Sequence, residues 1–353
     1  MTTAVSAEDS TRLVRDAIAT LAAGTDLGET TMQSVVDAIM GGGVTPAQIG
    51  SMLTALRIKG ETVDELVGAA RALRARMVRV PVAATVVDTC GTGGDGADLF
   101  NVSTAVALVV AGAGVPVAKH GNRAQSGRVG GADVLETLGV RIDLPADCVA
   151  RCIREAGVGF CFAPRFHAAM RFAAQPRREI GLRTIFNFIG PLANPAGATV
   201  QLVGVPDARF AQPMAEALGR LGATRAMVVH GDGLDEISTV GATRVAELAA
   251  GVVRSYDLRP EDFGLAPTAT LPPPVADASE SAAVIRAVLG GAPGPARDLV
   301  LVNAAAALVL AGHAADWRAG MTAAAAAVDG GAGARALARL VETSNEYQDG
   351  PIA

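Results

Sequence analysis

The chain opens on apolar positions at helical spacing. Leu13, Val14, Ile18 and Leu21 fall on one face of a helix predicted over residues 9–22. A second helix is expected from Glu29 to Met40, stopped by Gly41, Gly42 and Gly43. A third begins at Thr45-Pro46, with threonine as N-cap and proline in the first turn. A fourth starts at Thr62, where Thr62 and Glu65 make a capping-box pattern, and it ends before Pro81. No strand-like run interrupts these helices, so residues 1–83 read as a small helical domain. Their apolar stripes look too few to enclose a core of their own, which predicts a homodimer packed through this domain.

From Thr85 the pattern changes. Short β-branched runs, Thr85-Val86-Val87 and Val115-Pro116-Val117, alternate with helical stretches such as 104–113. Further strand candidates lie at 159–162, 201–205 and 226–229, again with helices between them. That alternation predicts an α/β fold with a mainly parallel sheet and crossover helices over residues 84–353. A segment near 178–200 is expected to pack with the helical domain. Pro272-Pro273-Pro274 reads as a connection, residues 323–327 as a helix, and the chain from Ser344 as a frayed tail. There is no internal repeat at solenoid periods.

Composition narrows the function. Among 353 residues half are apolar, and the formal charge is −5, which suits a globular protein rather than a disordered one. With 3% aromatic residues and no basic tract, the chain lacks a base-stacking platform, and no nucleic-acid partner is expected. The polar, acid-bearing residues 1–12 are not a secretory signal. The longest apolar stretch, 105–118, is broken by glycine and proline and is too short to span a membrane, so a cytoplasmic enzyme without membrane contact is expected. Cys90, Cys148, Cys152 and Cys161 lack zinc-site spacing and read as reduced thiols, with Cys148 and Cys152 placed for a metal pair as the alternative.

The densest chemical signal is Asp88-Thr89-Cys90-Gly91-Thr92-Gly93-Gly94-Asp95-Gly96, followed by Asn101-Val102-Ser103-Thr104. A strand leads into a loop with four glycines and then into a hydroxyl-rich helix start. Backbone N–H groups can approach an anion closely there, and the helix N-terminus favours negative charge. Gly91 to Gly96 satisfies G-x-G-x-x-G literally, but the next strand ends in Lys119-His120 instead of the acid a dinucleotide fold needs. Gly96 is followed by Ala97-Asp98, which excludes a Walker A loop.

Three further clusters accompany this loop. Residues 119–126, Lys-His-Gly-Asn-Arg-Ala-Gln-Ser, stand at a strand's carboxyl end and resemble an anion clamp, with a solvated basic loop as the alternative. Asp235 and Glu236 are adjacent carboxylates after a strand that ends in His230, a pattern for Mg²⁺ shared with substrate phosphates. Arg177-Arg178-Glu179, preceded by His167 and Met170, offers an arginine for a substrate carboxylate, or a surface ion pair.

Together these segments resemble the anthranilate phosphoribosyltransferase family, a phosphoribosyltransferase class related to nucleoside phosphorylases. DTCGTGGDG, NVST, KHGNRA, ADVLETLG, RREIG, TIFNFIGPLANP and GLDEIS follow the family's order across nearly the whole chain. The resemblance implies transfer of the phosphoribosyl group of 5-phosphoribosyl 1-diphosphate to anthranilate, with Mg²⁺, in tryptophan biosynthesis. It implies donor contacts at Gly91, Thr92, Gly94, Asp95, Leu99, Asn101, Val102, Ser103 and Thr104. The donor site would continue through Lys119, His120, Gly121, Asn122, Arg123, Ala124, Gln125, Ser126 and Gly127 to Gly131. Anthranilate would meet Gly91, Asn122 and Arg177, and magnesium Ser103, Asp235 and Glu236. The family's homodimers form through the helical domain. No lone acid or base is implied.

The chain departs from the family pattern at three places. Leu99 replaces a threonine or serine, Gly127 and Val129 replace serines, and Ala168 stands where proline often follows the histidine. A pyrimidine nucleoside phosphorylase on the same fold, and a non-catalytic nucleic-acid-binding relative, are the alternative readings.

Overall fold

Seven short strands, apolar on both faces over most of the sheet, form the surface on which the helices pack. The computed structural model describes residues 7–124 and 129–347. Gln125, Ser126 and Gly127, named above for the donor, lie outside the described residues.

The chain begins with α1 (Ala7–Ala22), α2 (Glu29–Met40), α3 (Pro46–Lys59) and α4 (Val63–Arg76). There follow β1 (Val87–Gly91), α5 (Val102–Gly112), β2 (Val117–Gly121), α6 (Gly131–Thr137), α7 (Ala146–Ala156) and β3 (Val158–Phe162). A helical excursion comes next: α8 (Ala163–Phe166), α9 (Arg171–Ile180) and α10 (Ile185–Phe188). The sheet resumes with β4 (Val200–Gly204), α11 (Ala211–Arg220), β5 (Arg225–Gly231), β6 (Thr243–Ala249) and β7 (Val252–Leu258). The last helices are α12 (Ala278–Leu289), α13 (Pro295–Leu310), α14 (Trp317–Asp329) and α15 (Ala332–Asn345).

Strand order is β3-β2-β1-β4-β5-β6-β7. The first five strands run parallel, and β6 and β7 extend the sheet antiparallel. The α/β fold with a mainly parallel sheet is therefore as expected. The order reverses at β1 and β4, which opens a crevice at their carboxyl ends.

Side-chain alternation divides the core between the two faces. On β5, Met227 and Val229 join the core under α5, α7 and α12–α15, whereas Ala226 and Val228 point to the other face. That second face packs α11, α9, α10 and the four N-terminal helices into one continuous core. Val14, Met32, Val36, Ile49, Leu53 and Leu66 are each at most 1% exposed in it. The stripes thought too sparse to enclose a core are thus covered by the chain itself. The excursion after β3 returns to them, with Arg74 of α4 donating to the carbonyls of Leu192 and Leu221 at 2.6 Å each.

Local capping matches the residue pattern. Thr45 and Thr62 both complete capping boxes. Glu65 also accepts from the Leu27 N–H at 2.9 Å and from Lys59 Nζ at 3.0 Å, a buried pair that ties the helices together.

Several expectations need correction. β1 and β2 begin at Val87 and Val117, later than the β-branched runs suggested. Lys119 and His120 stand near the end of β2, where the sequence placed them, but both are buried, which removes the solvated-loop alternative for them. The hairpin β6–β7 was not anticipated, because Arg244, Glu247, Arg254 and Asp257 break its apolar signal on an edge half open to solvent. Ser344 is not in a tail: it lies in α15, fully buried, and its hydroxyl accepts from the Arg141 N–H at 3.1 Å. The four cysteines carry free thiols, with Cys148 half-buried and the others buried. Among the described residues no helix is long and apolar enough to cross a membrane.

Helix α4 can lie on α2 because Gly68 has no side chain. A Cβ there would stand 2.3 Å from the Glu29 carbonyl oxygen. Gly68→Ala is expected to lower unfolding free energy by about 1–3 kcal/mol, since backbone must move to admit the methyl group. Urea denaturation checks this, and unchanged stability would contradict the packing described.

Candidate active site

The crevice at the β1–β4 reversal holds a cavity of about 590 Å³. Gly91 of β1, which lines it, stands in register with Gly204 of β4. A Cβ on Gly204 would stand 1.6 Å from the Asp235 carbonyl oxygen, and one on Gly91 2.5 Å from Asp235 Oδ2. The absence of both side chains lets the segment after β5 cross the strand ends. The loop beyond Gly91 then closes on it: the Thr92 N–H donates to the Gly204 carbonyl at 2.9 Å, and the Gly93 N–H to Asp235 Oδ2 at 2.9 Å. Gly93, Gly94 and Gly96 all take positive φ (62°, 81° and 77°), which favours glycine in this turn.

α5 starts at the same crevice. Asn101 caps it by accepting from the Thr104 N–H at 3.1 Å, and the Asn101 N–H is held by Ser281 Oγ of α12 at 3.0 Å. Ser103 Oγ accepts from Lys119 Nζ at 2.9 Å, while Nζ also donates to the Thr89 carbonyl at 2.7 Å. Beneath Lys119 lies Asp88, fully buried, which accepts from the His120 N–H at 3.1 Å and from Asn194 Nδ2 at 2.8 Å. The TIFNFIGPLANP segment thus reaches under both strands.

Electrostatics single out the acidic end. Burial, then the charge of Asp95, pushes the Asp235 carboxyl up to about 7. Burial and Asp235 raise Glu236 well above the ordinary range. Burial pulls the Lys119 ammonium down against the attraction of Asp88. Carboxylates that raise one another in a low-dielectric pocket are relieved by a divalent cation. Among the described residues no group of three His, Cys, Asp or Glu forms a metal cage. Two carboxylates and the Ser103 hydroxyl suit Mg²⁺, which keeps positions for phosphate oxygens and water.

The other half of the cavity comes from the excursion after β3. Pro164, His167, Met170, Arg177, Phe186 and Gly190 line it. Arg177 sits in the last turn of α9, its guanidinium 5.6 Å from the Phe186 ring centre, and burial lowers its pKa. His120 and His167 pack at 5.1 Å between ring centres. Burial holds them down to about 3 and about 4, so both are neutral imidazoles at pH 7.

Every described residue assigned from the sequence lines this cavity except Thr104. Thr104 is 1% exposed, because α5 turns its side chain into the core. Arg123 lines the cavity with its guanidinium on Asp133 at 2.9 Å and Glu136 at 2.5 Å, so its charge is shared with α6. Leu99 and Asn122 both face the cavity. His230 belongs to β5 and is set against the Val205 carbonyl at 3.0 Å.

Four contributors had escaped the reading of the sequence. Gly204 and Arg183 carry no motif signal by spacing alone, although Arg183 stands two residues beyond RREIG. Its Nη2 donates to the Thr92 carbonyl at 3.1 Å and so ties the glycine loop to the excursion. Ser281 and Asn303 are the others, each distant in the chain and each holding site backbone.

A family model described as glycosyl transferase family, a/b domain, matches residues 83–334, and one described as its helical bundle domain matches residues 15–77. Anthranilate phosphoribosyltransferase of Moorella thermoacetica is 52% identical over 332 residues, covering 93% of this chain and 98% of that protein. The Agrobacterium fabrum protein of the same name is 50% identical over 333 residues, covering 94% and 97%. The chain belongs to the anthranilate phosphoribosyltransferase family. As a member of that family it is a pentosyl-transferring glycosyltransferase. The crystal structure of the Thermus thermophilus anthranilate phosphoribosyltransferase superposes with a TM-score of 0.86 at 41% identity, covering 94% of this chain and 99% of that one. The Saccharomyces cerevisiae anthranilate phosphoribosyltransferase, in complex with PRPP and Mg, also gives 0.86, at 26% identity and 95% and 99% coverage.

The neutral histidines have a pH signature. A folded-state pKa of about 4, below the ordinary 6.5, means that the unfolded chain binds the extra proton. The contribution of His167 to stability is therefore present above pH 6.5 and lost as pH falls through 4. Asp235, raised to about 7, acts in the opposite sense, so wild type must be compared with His167→Gln. Relative to that variant, wild type is expected to lose about 1.4 kcal/mol per pH unit across this window in urea titrations. Parallel pH dependences would mean that His167 is charged in the fold.

Proposed function

We propose that this cavity transfers the phosphoribosyl group of 5-phosphoribosyl 1-diphosphate to the amine of anthranilate, releasing diphosphate, as a step of tryptophan biosynthesis. One observation carries the reading: the glycine loop, Lys119 and the carboxylate pair share a single cavity with Arg177 and the apolar excursion. The first group suits a phosphorylated donor, the second an aromatic carboxylate.

The roles follow from chemistry. The backbone N–H groups of the glycine loop and the start of α5 bind donor phosphates. Asp235, Glu236 and Ser103 would hold Mg²⁺, which supplies a Lewis acid for the departing diphosphate. Lys119, fixed by Thr89 and Ser103, stabilises the same negative charge. Arg177 takes the anthranilate carboxylate, Asn122 and Gly91 flank the acceptor, and Phe186 offers its ring an apolar wall. The aniline nitrogen is neutral at working pH and needs no strong base, so two neutral histidines suffice beside it. Catalysis rests on positioning and electrostatics.

A homodimer through the helical layer and a cytoplasmic location belong to the same reading. An apolar groove lined by Ile18, Leu21, Ala55 and Ile180 supports the dimer, with Ile58 at its rim 81% exposed.

Loss of anthranilate fluorescence, dependent on both donor and Mg²⁺, tests the function. Turnover of nucleoside with phosphate, and none of anthranilate, would overturn it. Arg177→Ala is expected to lower kcat/KM for anthranilate by roughly thirty-fold to several thousand-fold, the loss of ~2–5 kcal/mol from a buried charge pair. Donor affinity measured by calorimetry should stay near wild type. Normal anthranilate kinetics would remove Arg177 from the acceptor site.

A further inference from the structure

The buried part of α13, Leu299 to Leu310, reads Leu-Val-Leu-Val-Asn-Ala-Ala-Ala-Ala-Leu-Val-Leu. One polar side chain interrupts it, Asn303, with no exposure to solvent. A carboxamide sealed in such a helix is costly unless its hydrogen bonds are made. They are made to one place. Asn303 Oδ1 accepts from the Ile237 N–H at 2.9 Å, and Nδ2 donates to the Ile237 carbonyl at 3.0 Å. Nδ2 also donates to the Leu299 carbonyl of its own helix at 2.9 Å. Ile237 directly follows Glu236, in a stretch between β5 and β6 that has no regular ladder. The next N–H, of Ser238, is held by Thr243 Oγ1 at 2.9 Å.

We infer that Asn303 is a positioning residue for the carboxylates: by gripping both backbone groups of Ile237 it fixes Asp235 and Glu236 over the ends of β1 and β4. The inference rests on the reading that these carboxylates hold Mg²⁺. Asp95, Asp235 and Glu236 repel one another when ionised, and the segment that carries two of them rests on strand ends without a ladder of its own to resist that force. The grip from α13 supplies the resistance from the side opposite the cavity. The carboxylates then keep their spacing before the metal arrives, and metal binding loses no energy to reorganising the loop.

The test is Mn²⁺ affinity measured by electron paramagnetic resonance, with 5-phosphoribosyl 1-diphosphate present and no acceptor, so that no turnover is needed. Asn303→Leu nearly preserves volume and removes the grip; Asn303→Ser is the milder variant should the first not fold. Both are expected to weaken Mn²⁺ roughly ten- to a hundred-fold, the usual cost of losing a partner behind a metal ligand. Ser344→Ala serves as control, because it deletes a buried hydrogen bond to the Arg141 N–H far along the chain. It should lower thermal stability and leave Mn²⁺ affinity alone. Wild-type Mn²⁺ affinity in a folded Asn303 variant would overturn the inference and leave Asn303 a structural residue. Asp235→Asn with Glu236→Gln, run alongside, separates the two levels. If that pair also bound Mn²⁺ as wild type does, the metal reading itself would fail, and the positioning role with it.

Discussion

The Asp235 carbonyl occupies the space that a side chain on Gly204 would fill, and most of the site depends on that close approach. Neighbouring parallel strands normally end in side chains that keep crossing chain segments away. Here Gly91 and Gly204 stand side by side without Cβ atoms, so a loop from β5 can lie directly on the strand ends. Its carboxylate then takes the Gly93 N–H, which turns the glycine loop toward the crevice. The glycine loop and the Asp235-Glu236 pair are brought together by the same steric vacancy. Neither arrangement could be moved without moving the other.

That juxtaposition concentrates charge in a buried place. Asp88, Lys119, Asp235 and Glu236 lie close together, and burial disfavours the ionised form of each. The fold tolerates this through hydrogen bonds from several elements around the crevice. Asn194 and the His120 N–H hold Asp88, Ser281 holds the start of α5, and Asn303 holds the carboxylate segment. The site surface is polar, while Asn303, one of its supports, stands in the apolar stretch of α13. Such a division lets the ligand-facing groups remain pre-set for charge that arrives with the substrates.

The excursion between β3 and β4 joins the two faces of the problem. Its helices complete the core with the N-terminal bundle and carry Arg177 and Phe186 to the cavity, while His167 comes from the link between α8 and α9. Arg183 then reaches back to the Thr92 carbonyl. Arg177, Phe186 and the glycine loop are mechanically connected through this one segment, with the helical layer packed behind it.

Local chemistry made much of this legible in the amino-acid order. Thr45 and Thr62 announced their helices because a cap is decided within four residues. The glycine loop, the NVST helix start and the Asp235-Glu236 pair were recognisable because each motif is contiguous, and their order matched a known family. The hairpin β6–β7 was hidden by charges on an exposed edge. What lay outside local reach was decided by distance along the chain. Arg183 meets Thr92 across 91 residues and Asn303 meets Ile237 across 66, and no spacing rule links them. The N-terminal stripes looked uncovered because their cover, α9 to α11, comes more than a hundred residues later. The amino-acid order determined the helices, the parallel sheet and the groups that carry charge. The tertiary structure alone decided which backbone those groups grip, because that depends on packing between segments that only folding brings into contact.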